Sequence, residues 1–143
     1  MNTFLPYPNF IKSAKCLDYR RLGKQRVEAY QIYLSLTIDN YGWKNHPAVK
    51  MWKGCELALL FYAIVMCNEW IKRGYKDTLR TKLLKEANKR LNEKFVLPKW
   101  FGNTKFHTAM KSNLLRKDKQ YYSKFGWKVR NNLPYIWILN KDK

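Results

Sequence analysis

Acidic residues are scarce in this sequence. Ten Asp and Glu serve 143 residues that also carry 29 Lys and Arg, for a formal net charge of +19. A nuclease working through bound metal ions needs several clustered carboxylates, and this chain does not offer them. Histidine occurs twice, and the three cysteines (Cys16, Cys55, Cys67) form no CxxC, so the spacing of a structural zinc site is missing. On one helix Cys55 and Cys67 would stand about 18 Å apart along the axis, too far for a disulfide. All three read as buried thiols of a reducing, intracellular compartment. The longest apolar run, Leu57 to Cys67, is eleven residues, against roughly 20 needed to span a bilayer. The opening Met1-Asn2-Thr3-Phe4-Leu5-Pro6 lacks the basic start and apolar core of a secretory signal. No Ser/Gly/Pro-rich linker and no internal repeat divides the chain, so a single domain over 1–143 is expected. GxSxG, a phosphate-cradling glycine loop and a recognisable Cys/His pair are all missing too.

What the chain has in excess is positive charge and flat rings. Aromatics make up 16%, with six Trp, ten Tyr and seven Phe. A charge excess of this size repels itself and points to a polyanionic partner. Cations interleaved with rings favour nucleic acid over an acidic membrane surface, because cations meet phosphates while rings stack on bases.

Helical periodicity dominates, with no convincing strand alternation, so the expected architecture is all-α. The first eight residues read as extended, and Asn9 can cap a short helix through Cys16. Asp18 is placed to cap a helix from about Tyr19 to Ile38. There Val27, Tyr30, Leu34 and Ile38 mark one apolar face, and Arg21, Lys24, Gln25, Glu28, Gln31 and Ser35 the opposite polar face. One long helix, central and buried, is expected from Pro47 to about Arg73, stopped by Gly74. Two more follow, from Asp77 or Thr78 and from about Asn103 to Lys117. The remainder reads as a short helix and aromatic loops.

Two segments carry candidate function. Lys111 to Arg130 interleaves Arg116, Lys117, Lys124 and Lys128 with Tyr121, Tyr122, Phe125 and Trp127, a pattern suited to phosphates and an unpaired or flipped base. Each ring read singly fits a packed core as readily. Along Arg20-Arg21-Leu22-Gly23-Lys24-Gln25-Arg26-Val27-Glu28, helical spacing puts Glu28 one turn from Lys24 and two from Arg21. A carboxylate held among cations stays ionised and can steady a cationic sugar or an iminium; an ordinary surface ion pair is the plainer alternative. His46, before Pro47, fits a cap or loop role, and His107 a half-buried structural one.

Several blocks belong together: Thr3-Phe4-Leu5-Pro6-Tyr7; Leu17-Asp18 with Arg21 to Glu28; Gly42-Trp43-Lys44-Asn45-His46-Pro47-Ala48-Val49-Lys50-Met51-Trp52; and Arg73-Gly74-Tyr75-Lys76-Asp77-Thr78. His107 with Leu114-Leu115-Arg116-Lys117 and Leu133-Pro134-Tyr135-Ile136-Trp137 complete the set. Over nearly the whole chain these blocks resemble a group of small bacterial and viral proteins described as pyrimidine-dimer DNA glycosylases, more distantly similar to the phage endonuclease V family. The resemblance implies a compact all-α enzyme that needs no metal or other cofactor. It also implies a reaction in which the chain's α-amine attacks C1′ of a damaged nucleotide and cleaves the abasic strand through a Schiff base. An α-amine ordinarily titrates near 7.7–8.0, so a useful fraction is nucleophilic at neutral pH. By this resemblance the amine is that of Met1, with Glu28 or Asp18 as the acid. The DNA-contacting set is Arg20, Arg21, Lys24, Gln25, Arg26, His46, His107, Arg116, Lys117, Tyr122, Lys124 and Trp127. The expected partner is double-stranded DNA with damaged bases, bound by a monomer in the cytoplasm, nucleoid or a viral factory. A non-catalytic DNA- or RNA-binding protein, and an enzyme for another modified base, remain open alternatives.

Overall fold

A computed structural model describes residues 1–140 of the chain. It contains seven α-helices and no strand among those residues: α1 (Phe10–Cys16), α2 (Tyr19–Thr37), α3 (Pro47–Lys50), α4 (Glu56–Lys72), α5 (Arg80–Lys89), α6 (Thr104–Lys117) and α7 (Lys119–Tyr122). A single 3-10 turn, Ser123–Phe125, follows. The all-α reading holds. Asn9 accepts the Lys12 N–H at the start of α1, and Asn103 accepts the Phe106 N–H at the start of α6, each satisfying a donor the first turn leaves open. Gly74 ends the α4 region in the left-handed conformation (φ 95°), donating to the Ile71 carbonyl.

Helix α4 is the hub, packing on α2, α5 and α1. Its Leu57, Ala58, Leu59, Leu60, Tyr62, Ala63, Met66 and Cys67 are all buried. The continuous helix expected from Pro47 to Arg73 is broken. Pro47–Lys50 makes one turn, Gly54 takes φ 81°, and Cys55 becomes the cap of α4 rather than a residue within it. At the break the Met51 carbonyl accepts from Trp100 Nε1 at 2.8 Å, and the left-handed Gly54 turns the chain into α4. Helix α5 likewise begins at Arg80, with Asp77 acting from outside as an acceptor for the Arg80 N–H at 2.7 Å.

The polar face expected on α2 is also revised. Gln25 and Ser35 are interior, whereas Val27 and Ile38 are 41% and 46% exposed. Gln25 turns inward because something polar lies there: the extended N-terminal arm, whose Thr3, Phe4, Leu5 and Pro6 are buried. An extended segment cannot bond its own peptide groups, so each must find a partner inside the protein. The Phe4 N–H donates to Gln25 Oε1 (3.0 Å), the Phe4 carbonyl accepts from the Tyr62 hydroxyl (3.0 Å), and the Thr3 hydroxyl accepts from Trp52 Nε1 (2.9 Å). His107 Nδ1 lies 2.7 Å from the Leu5 carbonyl, and the Tyr7 peptide group is closed on both sides by Ser13 Oγ.

Beyond the 3-10 turn the chain runs without a regular element back over the helices. Arg116 donates to the Asn131 and Leu133 carbonyls, Leu133 N–H donates to Ser112 Oγ, and Asn140 N–H donates to the Lys50 carbonyl.

Candidate active site and nucleic-acid interface

The arm delivers the start of the chain to a defined place on α2. The Asn2 N–H donates to Glu28 Oε1 at 3.1 Å, and Gln25 Nε2 donates both to the Asn2 carbonyl (3.1 Å) and to that same Glu28 oxygen (3.2 Å). Gln25 and Glu28 stand three apart on one face, the spacing that lets one side chain hold the other. Met1 is half-buried against the core, one residue beyond the Glu28 contact. Among the described residues no Lys or Arg forms an ion pair with Glu28.

His46 completes this group. Its Nδ1 accepts the Ala48 N–H at 3.0 Å, capping α3. Burial lowers its proton affinity and the positive chain terminus lowers it further, while Glu28 acts in the opposite direction. His46 thus senses the charges of both the chain terminus and Glu28, with burial the larger influence. Its ring contacts Trp43 edge-on at 6.0 Å and Trp137 at 6.0 Å.

Asp18 sits elsewhere. Ten residues along α2 separate it from Glu28, about 15 Å at 1.5 Å per residue. Its carboxylate pairs with Arg21 (3.2 Å) and takes the hydroxyl hydrogen of Tyr122, while its N–H donates to the Tyr122 oxygen (3.0 Å). This buried joint ties α7 to the start of α2 and raises the Tyr122 hydroxyl far above its ordinary range, by burial first and the Asp18 carboxylate second.

The expected DNA-contacting residues divide by exposure. Arg20, Lys24, Lys117 and Lys124 face solvent. Arg21, His46 and Trp127 are half-buried. Arg26 pairs with the buried Asp77 carboxylate and lies 4.6 Å from the Trp70 ring, which stacks on Tyr75 at 4.3 Å. Arg116 is exposed, but its guanidinium is engaged by the carbonyls of the C-terminal stretch and by Asn113. Gln25, His107 and Tyr122 are interior, engaged with other parts of the protein. His107 holds two backbone groups: Nε2 accepts the Gly102 N–H at 2.9 Å, which leaves the Nδ1 hydrogen for Leu5.

Of the C-terminal rings Tyr122 is buried, and Tyr121, Phe125 and Trp127 are half-buried against it, the packed alternative of the two readings. Tyr122 and Trp127 stack at 5.8 Å, Phe125 and Trp127 at 5.2 Å, and Trp127 Nε1 donates to the Tyr7 hydroxyl at 2.8 Å. Cations cover this cluster from outside, with Lys124 Nζ 3.9 Å from the Tyr121 ring and Lys111 Nζ 5.0 Å from Tyr7. The segment therefore presents its cations to solvent and keeps its rings half-buried or buried.

Sequence reasoning missed Trp43, which is 60% exposed beside His46. It also missed Tyr62, whose hydroxyl reaches Gln25 Oε1 at 2.5 Å and fixes the amide that fixes Glu28. No local pattern marks Tyr62, since it lies within the apolar run of α4. Among the described residues no three His, Cys, Asp or Glu side chains converge where a metal ion could be held.

Compared with known families, residues 1–83 match the family described as pyrimidine dimer DNA glycosylase, a span that includes the arm, α2, His46 and α4. No curated protein and no solved structure matches the chain.

Proposed function

The chain belongs to the pyrimidine dimer DNA glycosylase family, and from that premise we propose that it excises damaged pyrimidines from duplex DNA and then cuts the abasic strand, using the Met1 α-amine as nucleophile and Glu28 as acid–base. The observation that carries this reading is the Asn2 N–H to Glu28 contact, locked by Gln25, which brings the chain's first residues to a carboxylate without a cationic partner.

In this scheme the neutral amine attacks C1′ of the extruded nucleotide, the C1′–base bond breaks, and the base leaves with its bonding electrons and a proton. The attached nitrogen gives up a proton to Glu28; the C1′–O4′ bond then breaks as the nitrogen lone pair forms the C1′=N iminium, and Glu28 returns its proton to O4′. In the same scheme the Glu28 carboxylate stabilises the developing iminium charge, a role supported by its contact with the Asn2 N–H next in the chain. Loss of a C2′ proton then expels the 3′ phosphate, and water releases the amine from the sugar. Every step runs on an amine and a carboxylate, and none calls for a metal ion. Exposed Lys24, Arg20, Lys117 and Lys124 supply phosphate contacts, so binding weakens steeply as salt rises.

The test is a duplex with one site-specific pyrimidine dimer. Wild-type protein is expected to incise it, and Glu28→Gln to bind within about twofold while cleaving at least about 100-fold more slowly, the scale of a lost general acid–base. Cleavage unchanged in Glu28→Gln removes Glu28 from this role. Tight, salt-sensitive binding with no cleavage by wild type assigns the chain to non-catalytic DNA binding, and cleavage only of other modified-base duplexes moves it to a different lesion.

A further inference from the structure

We propose that Trp43 is the platform on which the damaged base stacks after leaving the duplex, holding its sugar toward the Met1–Glu28 centre. The inference rests on the reading above and adds the residue that receives the base.

Trp43 is the most exposed aromatic side chain described, at 60%. A large ring left in water forgoes the burial that normally retains it. Its backbone is also unusual: φ is 60°, in the left-handed region where a bulky residue meets steric opposition. Asn40 (φ 62°) and Gly42 (φ 104°) share that conformation in the same loop. Such geometry persists only where the surroundings impose it. Here the Trp43 carbonyl accepts the His46 N–H at 2.9 Å, and Lys44 pairs with Asp39 at 3.5 Å.

A row of ring contacts leads away from Trp43: Trp43 to His46 edge-on at 6.0 Å, His46 to Trp137 at 6.0 Å, and Trp137 to Tyr135 at 5.6 Å. Trp43 also lines an open cleft of about 860 Å³, together with Asp39, Asn40, Gly42, Lys44, Asn45 and His46. That volume suits a nucleotide. The Asn40 and Asn45 amides each offer donors and an acceptor, the complement of a pyrimidine's hydrogen-bonding edge, and Lys44 is placed for a phosphate. His46 joins the two halves, touching Trp43 with its ring while sensing the chain terminus and Glu28 through its charge environment.

The experiment has a binding arm and a cleavage arm. Tryptophan fluorescence is titrated with a dimer-containing duplex and with the undamaged duplex, for wild type and Trp43→Phe. Stacking predicts an extra quench by the dimer duplex in wild type that disappears in Trp43→Phe. In the cleavage arm, Trp43→Asn removes the ring with a residue that tolerates the left-handed backbone. Its incision of dimer duplex, relative to incision of a preformed abasic site, is expected to fall at least about fivefold, the low end for losing one base–aromatic stack, with Trp43→Phe keeping most of the ratio. An extra quench that survives in Trp43→Phe, its absence in wild type, or an unchanged ratio overturns the proposal. Should wild type show the extra quench yet form no covalent adduct, the Schiff-base reading falls and the stacking platform stands.

Discussion

Gln25 is the side chain whose removal most sharply probes how the start of the chain is held. Its amide oxygen takes the Phe4 N–H and shares the single Tyr62 hydroxyl hydrogen with the Phe4 carbonyl, and its amide nitrogen donates to the Asn2 carbonyl and to Glu28. In Gln25→Ala the buried Phe4 N–H is left without an acceptor, costing about 1–3 kcal/mol. The Tyr62 hydroxyl keeps the Phe4 carbonyl, so its loss is small. The Asn2 carbonyl is half-buried and its lost bond costs about 0.5–1.5 kcal/mol. The sum is about 3 kcal/mol, or a fall in Tm of about 10 °C for a domain this size. Thermal unfolding followed by circular dichroism reads the stability, and strand cleavage well below the new Tm reads the site. Both should fall, because the arm and Glu28 lose a common anchor. A Tm change under about 2 °C, or full cleavage by the folded variant, would refute the idea that this amide sets the site.

Stability should also decline on mild acidification. Burial lowers the proton affinity of both His46 and His107 below the ordinary imidazole value of 6.5. The unfolded chain then binds more protons than the native one, so stability is complete above about pH 6.5 and is lost as pH falls through the lowered native values. For His107 a second proton would displace the Gly102 N–H from Nε2; Tm measured from pH 7.5 to 5 should drop in wild type and drop less in His107→Asn, where only His46 still contributes, and a level wild-type profile contradicts this. Gly23→Ala gives a third check. In an open helix Ala gains about 1 kcal/mol over Gly. Here a Cβ would meet Trp70 at 3.0 Å, and Trp70 is held by its bond to the Lys76 carbonyl and its stack on Tyr75. The variant should melt below wild type, and a higher Tm would show that Trp70 yields.

Much of the helical frame was legible because helix ends announce themselves chemically. Asn9, Asn103 and Gly74 do locally what their residue types predict. The face of α2 was misread because hydrophobic periodicity assumes an apolar interior. Here an extended arm crosses the core, and its bare peptide groups draw Gln25 inward. Nothing near Gln25 in sequence signals that, since its partners lie at residues 2, 4 and 62. The long helix from Pro47 failed for a similar reason, as Trp52 had to turn toward Thr3. At the site, Glu28 could be named from its helical neighbours, and the structure brings the chain's start to it. Asp18 and Tyr122 could not be told apart from surface candidates, because their bond spans 104 positions. A charged run with interleaved rings does not say which group faces water; the fold sends Lys124 outward and Tyr122 inward.

The central claim is that the first residue's amine reacts at the Glu28 face. Borohydride reduction of the protein with abasic-site DNA, followed by proteolysis and mass mapping of the adduct, tests it most directly. The sugar fragment is predicted on the Met1 α-nitrogen, and prior selective blocking of that amine should abolish trapping. An adduct on Lys24 or any other lysine, or undiminished trapping after the block, contradicts the account.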